Sequence, residues 1–359
     1  MPRPRRVLIT IRNLFHGSHI VDQFLSCSIS VRAVVHDEPT QNILYQTFYD
    51  ACTKGALDIV LVPDISAPNA FFDALAITPN PFDVVIHTAG PAFSTTGHDN
   101  TEIATFASFY TTTLLQHIAA LAPQVRRFIL NTAVSAAPLL LWQPSLDGSP
   151  ATPVAAPLDE ASLVPAWEMV RQQAEAPAWR FVEEARPGFD VVTLAAAAVY
   201  GPPKSGVRSL DELDEGDFRV WREFMCAGGW AAQVPGNGMY CYADVRDLAF
   251  AHCQAAFISQ AGNQRFIICA GALSAQTICD VLRRHVPELR DRVPKGSPGT
   301  SSLPPNLPRP DATATSALLG LIKYHSVEET LVPLARWLLG IERQQQMQQP
   351  GMAFVQRFG

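Results

Sequence analysis

Two side chains one helical turn apart are the first candidates for chemistry. Trp167 and Arg171 stand at positions i and i+4 of a predicted helix over 165–186, so they share one of its faces. An indole offers a flat apolar surface with one N–H donor, and a guanidinium offers a fixed set of donors. Together they suit a conjugated substrate whose carbonyl group they would polarise. The alternative, which the residues support equally, is that they fill a pocket that binds no ligand.

Charge and cysteine usage narrow the choice of partners. The 359 residues carry 33 acidic and 27 basic side chains, a net charge of −6, with no long run of either sign. A nucleic acid or an anionic membrane is therefore not expected as a partner. The seven cysteines are scattered and never spaced as CxxC, which argues against a disulfide framework or a zinc site and favours the reduced cytoplasm. No apolar stretch approaches the ~18 residues of a membrane span.

Short apolar runs alternate with helical patterns in the first half of the chain. Buried strands are predicted over 6–10, 30–35, 58–62, 82–88, 127–131 and 189–194. Helices are predicted between them, over 16–25, 69–76, 101–121 and 165–186. This order is typical of an α/β fold with a doubly wound parallel sheet of the Rossmann type.

After residue 200 the pattern loosens into shorter elements. Helices are predicted over 217–227, 244–257 and 275–286, with strands near Tyr240 and over 265–269. We therefore predict a Rossmann-like domain over 1–200 and a smaller C-terminal substrate lobe over 201–343 that shares strands and helices with it. A tail over 344–359 follows, and its Gln-rich start is expected to be a frayed end.

Several phrases of the sequence resemble a known family. They begin with VLIT at the first strand, GSHIVDQFL, LVPDI and VVIHTAGP, and continue with AWRFVEEARPGFDVVTL, VYGPP, YADVRDLAFAH, NQRFI and HSVEETL. In this order, from Val7 to Leu331, they resemble the extended short-chain dehydrogenase/reductases of the fungal aldehyde or dihydroflavonol reductase type. The resemblance implies a nicotinamide dinucleotide at the first strand–helix turn, and a catalytic tyrosine, lysine and serine.

The phosphate-binding turn departs from the family pattern T-G-x-x-G-x-x-G. The chain reads TIRNLFHG over 10–17, so Ile11 and Leu14 replace two glycines and Gly17 keeps the third. A β-branched residue suits a positive-φ turn poorly, and we expect the Leu14 side chain to stand where the phosphate should approach. His16 lies in this altered turn and is a candidate catalytic imidazole, with a surface role as the alternative.

The resemblance assigns two positions, His36 and Asp64, to the adenosine end of the nucleotide. His36 stands where an arginine often receives the 2′-phosphate, with Asp37 beside it. Asp64 keeps the slot that meets adenine. His87, at the end of the fourth strand, resembles a histidine of the family and is expected to make structural hydrogen bonds. We predict that no cofactor is bound, with NADP as the cofactor only if a reductase activity persists.

The catalytic slots are replaced as well. Trp167 and Arg171 stand in the Y-x-x-x-K pattern, and Ala133 stands where the family has its serine. An indole cannot donate the proton that the tyrosine supplies. Tyr110 replaces a small glycine in the helix before the fifth strand.

The resemblance also indicates where a substrate would lie. The cleft is built in this family from residues after strands four to six and from the second lobe. The candidates are largely apolar, and each is equally suited to a place in the core: Phe93, Tyr110, Ala133, Val134, Ser135, Val199, Tyr200, Met225, Trp230 and Cys241. As a set they favour a hydrophobic small molecule.

These replacements lead to a prediction of function. Loss of one general acid costs about 10²–10⁴ in rate, and here all three catalytic groups are replaced. We predict a cofactor-independent, non-redox enzyme that cyclises (in a pericyclic, Diels–Alder-type reaction), isomerises or dehydrates an intermediate of secondary metabolism. A non-catalytic pseudoenzyme, acting as a ligand sensor or scaffold, and an NADP-dependent ketone or aldehyde reductase remain as alternatives. The expected partner is a hydrophobic small molecule, with no nucleic acid, membrane or metal, and a homodimer is left open.

Overall fold

The computed structural model describes residues 6–11, 13–65, 67, 69–76, 81–88, 100–134, 175–204, 210, 213, 215–301, 303 and 310–348. Within these ranges, the side chains of residues 100–107, 215, 346 and 348 are not described.

A seven-stranded parallel sheet forms the centre of the molecule. Its strands are β1 (Arg6–Thr10), β2 (Ser30–Val35), β3 (Leu57–Leu61), β4 (Val84–His87), β5 (Arg127–Ala133), β6 (Asp190–Ala196) and β9 (Gln264–Ile268). They are ordered β3-β2-β1-β4-β5-β6-β9, and every neighbouring pair is parallel. Strands β1, β4 and β5 are buried along their whole length, as expected for a sheet covered on both faces. The predicted Rossmann-like fold is confirmed.

Helices cover the sheet and begin at identifiable caps. The first half of the chain contributes α1 (Leu14–Ser26), α2 (Glu38–Thr47), α3 (Tyr49–Thr53), α4 (Phe72–Leu75), α5 (Asn100–Leu121) and α6 (Glu175–Ala185). Asn13 caps α1 by accepting a hydrogen bond from the His16 N–H, and Asp37 caps α2 in the same way from Thr40. Both caps stand at the carboxyl edge of the sheet, where the helices begin after β1 and β2.

The second half of the chain adds a small sheet and further helices. Strands β7 (Ala198–Tyr200), β8 (Cys241–Asp244) and β10 (Gly271–Ala272) pair in the order β10-β8-β7. The helices are α7 (Glu215–Arg219), which continues as a π-helical segment over Val220–Met225, then α8 (Val245–Phe257), α9 (Ala275–His285), α10 (Thr313–Leu319) and α11 (Val327–Gln348). Short 3₁₀ turns lie at Ser259–Ala261 and Pro287–Leu289.

The two halves are joined through shared layers. Strand β9 belongs to the large sheet although it follows residue 200, and α8 packs against α1. Helix α11 continues to Gln348, so the Gln-rich segment that starts at residue 344 is helical there and the expectation of a frayed end was wrong. Glutamine is a good helix former, which accounts for the difference. Among the described helices, none is both long and apolar enough to cross a membrane.

Candidate functional site

The strand order creates a crevice at the carboxyl edge of the large sheet. The chain runs outward from β1 to β2 and β3 on one side, and continues from β4 on the other side of β1. In such sheets ligands bind at the point where the direction of winding reverses, outside the carboxyl ends of the strands. That point lies here between β1 and β4, beneath the N-terminus of α1.

A hydrogen-bonded pair bridges these two strands. Thr10 and His87 are register partners at the ends of β1 and β4, and their Oγ1 and Nδ1 atoms share a hydrogen bond of 2.7 Å. The Thr88 hydroxyl donates to the Thr10 carbonyl at 2.6 Å. Burial, with the nearby charge of His36 adding to it, lowers the pKa of His87 to about 3, so its ring is neutral. The bond to Thr10 is the kind of structural hydrogen bond predicted for His87.

Several buried polar atoms at this edge have no partner within the described part of the chain. They are Nε2 of His36, Nε2 of His87, and both amide atoms of Asn131. These residues lie at or directly after the carboxyl-terminal parts of β2, β4 and β5, on both sides of the crevice. Buried polar groups are normally hydrogen-bonded, so unpartnered ones at a crevice are suited to a polar ligand. The nucleotide that the resemblance implies fits this arrangement.

Ile11 does not sit in the strained turn that its sequence position suggested. Its N–H donates to the Val34 carbonyl at 2.8 Å, and its side chain is buried in the core. It is not among the described non-glycine residues with positive φ. A Cβ placed on Gly17 would lie 3.0 Å from Ile11 Cγ1 and closer still to Cγ2. The Ile11 side chain therefore fills the space under α1, and the expectation of a positive-φ strain was wrong.

The rest of the turn packs on the same core. Leu14 begins α1 and is partly buried against the apolar cluster that contains Ile11 and Phe15. His16 is buried in the first turn of α1, with its ring centroid 5.1 Å from that of Phe15. The structure thus places His16, the candidate catalytic imidazole, inside the helix packing, where access from solvent is small.

The end of β2 presents a histidine and two acids. His36 Nδ1 bonds to the Val62 carbonyl at 3.2 Å, and burial lowers the pKa of this histidine despite the opposing effects of that bond and of Asp37. The Asp37 carboxylate is exposed and accepts from the Thr40 N–H at 2.7 Å and the Thr40 hydroxyl at 2.9 Å. Glu38 follows in the first turn of α2.

Asp64 and Tyr110 lie near one another. Burial, together with the charge of Asp64, raises the pKa of the Tyr110 phenol. Tyr110 is buried on α5, so the residue that replaces the family's glycine is close to the slot that meets adenine. Of the nucleotide slots named from the sequence, His36, Asp64 and Gly17 are all at the carboxyl edge.

The predicted substrate residues are only partly brought together. Ala133 and Val134 lie buried at the end of β5, where the Val134 N–H donates to the Ala196 carbonyl. Val199 and Cys241 belong to the core that includes β1 and α1.

The other candidates lie elsewhere. Tyr200 and Met225 belong to a separate apolar core of the second lobe. Trp230 is 56% exposed on the surface. Val199 and Cys241, by contrast, pack in the core that contains β1 and α1. Phe93, Ser135, Trp167 and Arg171 lie outside the described residues.

Sequence reasoning missed the role of Glu175. This residue opens α6 and is buried, and its carboxylate accepts hydrogen bonds from four side chains. The donors lie on β5, β6, β9 and α6 itself: Thr132, Thr193, Arg265 and Trp179. Local spacing could not have indicated this role, because three of the donors are far from Glu175 in the sequence.

Comparisons with known proteins agree with the fold and the resemblance. No family model matches the chain. The ketoreductase azaE of Aspergillus niger is 30% identical over 313 residues, which cover 85% of this chain and 88% of that protein. The NADPH-dependent methylglyoxal reductase GRE2 of Saccharomyces cerevisiae is 24% identical and covers 94% of this chain and 98% of its own length. The crystal structure of yeast Gre2 with NADPH is 24% identical in sequence. The match covers 94% of this chain and 99% of that one, with a TM-score of 0.77.

These relatives overturn the function predicted from the missing motif residues. They are named as reductases, and NADPH-dependent in the case of Gre2, so the prediction of a cofactor-independent cyclase, pericyclase, isomerase or dehydratase was wrong. The prediction that no cofactor is used was wrong for the same reason. The replaced motif residues are few, whereas the similarity extends through most of the fold. The chain belongs to the extended short-chain dehydrogenase/reductases, in the fungal group of reductases similar to NAD-dependent epimerases.

Proposed function

We propose that this protein is a nicotinamide-nucleotide-dependent reductase of a carbonyl group on a hydrophobic small molecule. The observation that carries the proposal is the set of unpartnered polar atoms at the crevice, on His36, His87 and Asn131. The reductase names of the relatives support the same reaction.

The chain's own residues suggest how the nucleotide would be held. The N-terminus of α1 points its N–H groups toward the crevice, which suits a pyrophosphate. His36 and Asp64 stand on the adenosine side. When bound, the nucleotide supplies the hydride. The pair Thr10 and His87 fixes the ends of β1 and β4, and so holds the floor of the crevice in place.

The substrate side departs from the family pattern. Ala133 brings no hydroxyl to the end of β5, so it cannot hydrogen-bond a carbonyl oxygen. The sequence offers the Arg171 guanidinium and the Trp167 N–H as the donors in the corresponding motif. The apolar side chains of Ala133 and Val134 at the end of β5, with the low charged share of 17%, support an apolar substrate.

The test is direct measurement of binding and reduction with the purified full chain. NADH and NADPH are titrated separately, and aromatic ketones, diketones and aldehydes are then supplied as substrates. We expect micromolar binding of a reduced nucleotide, its oxidation on adding substrate, and a product two hydrogens heavier than the substrate, one gained as hydride from the nucleotide and one as a proton from water.

A matched pair of variants locates the activity. Asn131→Leu removes the unpartnered amide at the crevice and is expected to weaken nucleotide binding or turnover at least tenfold. Tyr49→Phe changes one exposed polar atom on α3 and is expected to leave both unchanged. Absence of both binding and oxidation in the parent protein, with every substrate class, would refute the proposal.

We further propose that the protein works in the cytoplasm. All seven cysteines are thiols in the structure, with none in a disulfide, which supports a reducing compartment. Fractionation of the host cell should recover a tagged full-length chain with cytosolic markers, and recovery with secreted or organellar proteins would contradict this location.

A further inference from the structure

We infer that Asp37, assisted by Glu38, makes this site select a dinucleotide without a 2′-phosphate, so that NAD(H) binds in preference to NADP(H). The inference rests on the proposed function and specifies its cofactor. It departs from what the name of the yeast relative states for that protein, which is NADPH-dependent.

The position of Asp37 is that of a ribose-binding acid. His36 directly follows β2, and Asp37 is the next residue, at the N-cap of α2. In dinucleotide folds an acidic residue here accepts hydrogen bonds from the adenosine ribose hydroxyls, whereas an arginine nearby accommodates a 2′-phosphate. The chain thus carries the acid at the location that distinguishes the two nucleotides.

The Asp37 carboxylate is held in place. Thr40 donates to it twice, from its N–H at 2.7 Å and from its hydroxyl at 2.9 Å. A carboxylate has about four acceptor positions, so two remain for ribose hydroxyls. Because both bonds come from the first turn of α2, the charge cannot swing away from an approaching phosphate without losing the helix cap.

The charges around this position oppose a 2′-phosphate. Such a group carries about −1.5 to −2 charges at neutral pH. It would meet Asp37 and Glu38, and no arginine or lysine occurs in the sequence between 33 and 53. His36 is not a substitute cation, because its burial disfavours the charged ring and its Nδ1 is taken by the Val62 carbonyl.

Two arginines earlier in the chain, Arg32 and Arg12, also carry positive charge. Arg32, on β2, is buried and directs its guanidinium to Asp58 and to the Ala74 carbonyl, so its charge is already paired. Arg12 follows β1 in the sequence and lies outside the described residues. A guanidinium near the bound nucleotide would attract a 2′-phosphate, so the experiment includes a variant of Arg12.

The experiment measures dissociation constants for NADH and NADPH by direct fluorescence titration. We expect the parent protein to bind NADH at least tenfold more tightly than NADPH. Asp37→Ser keeps a good helix cap while removing the charge. In this variant, and more so with Glu38→Gln added, the preference should fall below threefold, through a gain in NADPH affinity and a loss in NADH affinity.

Two further variants serve as controls. Asp50→Asn removes one exposed carboxylate from α3, near the start of β3 at the opposite edge of the sheet, and should leave the ratio unchanged. Arg12→Gln should raise the dissociation constants for NADH and NADPH by similar factors.

The outcomes separate this inference from the proposed function. A parent protein that prefers NADPH, or a ratio that Asp37→Ser does not change, overturns the selectivity and leaves the reductase proposal standing. Selective loss of NADPH affinity in Arg12→Gln would assign the recognition to Arg12 and also overturn it. Failure of both nucleotides to bind overturns the proposed function and this inference with it.

Discussion

At the scale of single residues, Ile11 and Gly17 form one unit. The isoleucine replaces a glycine of the family pattern, and its Cγ1 and Cγ2 atoms occupy the space that any side chain at position 17 would need. We predict that Gly17→Ala lowers the free energy of unfolding by about 1–2 kcal/mol, because overpacking outweighs the higher helix propensity of alanine. Urea denaturation of the purified protein measures this change.

A double-mutant cycle provides the control. Ile11→Ala alone should cost about 2–4 kcal/mol, because it empties a buried site. In the Ile11→Ala background, however, Gly17→Ala should cost less than it does in the parent, since the side chain it would meet is gone. Strictly additive changes would show that the two positions do not share this space.

The same pair shows what the sequence could establish at this scale. The loss of two glycines was readable from the spacing, but the direction of the Ile11 side chain was not. That direction depends on backbone dihedrals, which here keep Ile11 out of the left-handed region and point it under α1. A motif with missing glycines therefore indicates a changed turn, and does not by itself indicate a blocked one.

At the scale of elements, Glu175 ties the start of α6 to three strands. Its carboxylate accepts from the Thr193 hydroxyl at 2.7 Å and from Arg265 Nε at 2.8 Å. We predict that Glu175→Ala lowers the free energy of unfolding by about 3 kcal/mol, because it leaves buried donors without an acceptor. Glu183→Ala, an exposed glutamate on the same helix, should change it by less than about 0.5 kcal/mol. Equal effects of the two substitutions in chemical denaturation would contradict this role.

The bounds of the elements show where sequence patterns suffice. The strands predicted over 6–10 and 30–35 have the observed bounds of β1 and β2, because buried parallel strands read as continuous apolar runs. The helix predicted over 69–76 is reduced to the four residues of α4, Phe72–Leu75. The π-helical segment Val220–Met225 has no signature in the sequence, since it differs from an α-helix only in its hydrogen-bond spacing.

At the scale of the whole molecule, neighbouring residues can belong to different cores. Val199 and Tyr200 are consecutive in β7, and successive side chains of a strand point to opposite faces. Val199 consequently packs with the core beneath the large sheet, and Tyr200 with the core of the second lobe. The alternation of side chains along a strand therefore explains why these two neighbouring candidates pack in different cores.

Two buried histidines, far apart in the sequence, give the molecule a shared pH dependence. Burial lowers the pKa of His252 to about 4 and, with the charge of His36, that of His87 to about 3. In the unfolded chain both titrate near 6.5. Below that pH the unfolded state binds protons that the folded state does not, so stability falls as pH falls from about 6.5 toward 4.

The size of this effect can be isolated with one substitution. Each such histidine contributes a slope of up to about 1.4 kcal/mol per pH unit in the free energy of unfolding. His252→Leu removes one of them from α8, where the His252 ring bonds only to the Leu248 carbonyl among the described hydrogen bonds. Urea denaturation at pH 7, 6 and 5 should therefore show a shallower decline in this variant than in the parent, by about 1 kcal/mol per unit, because one of the histidines with a lowered pKa no longer contributes. Parallel declines in the two proteins would mean that His252 titrates normally when folded, and that the packing around α8 admits its charge.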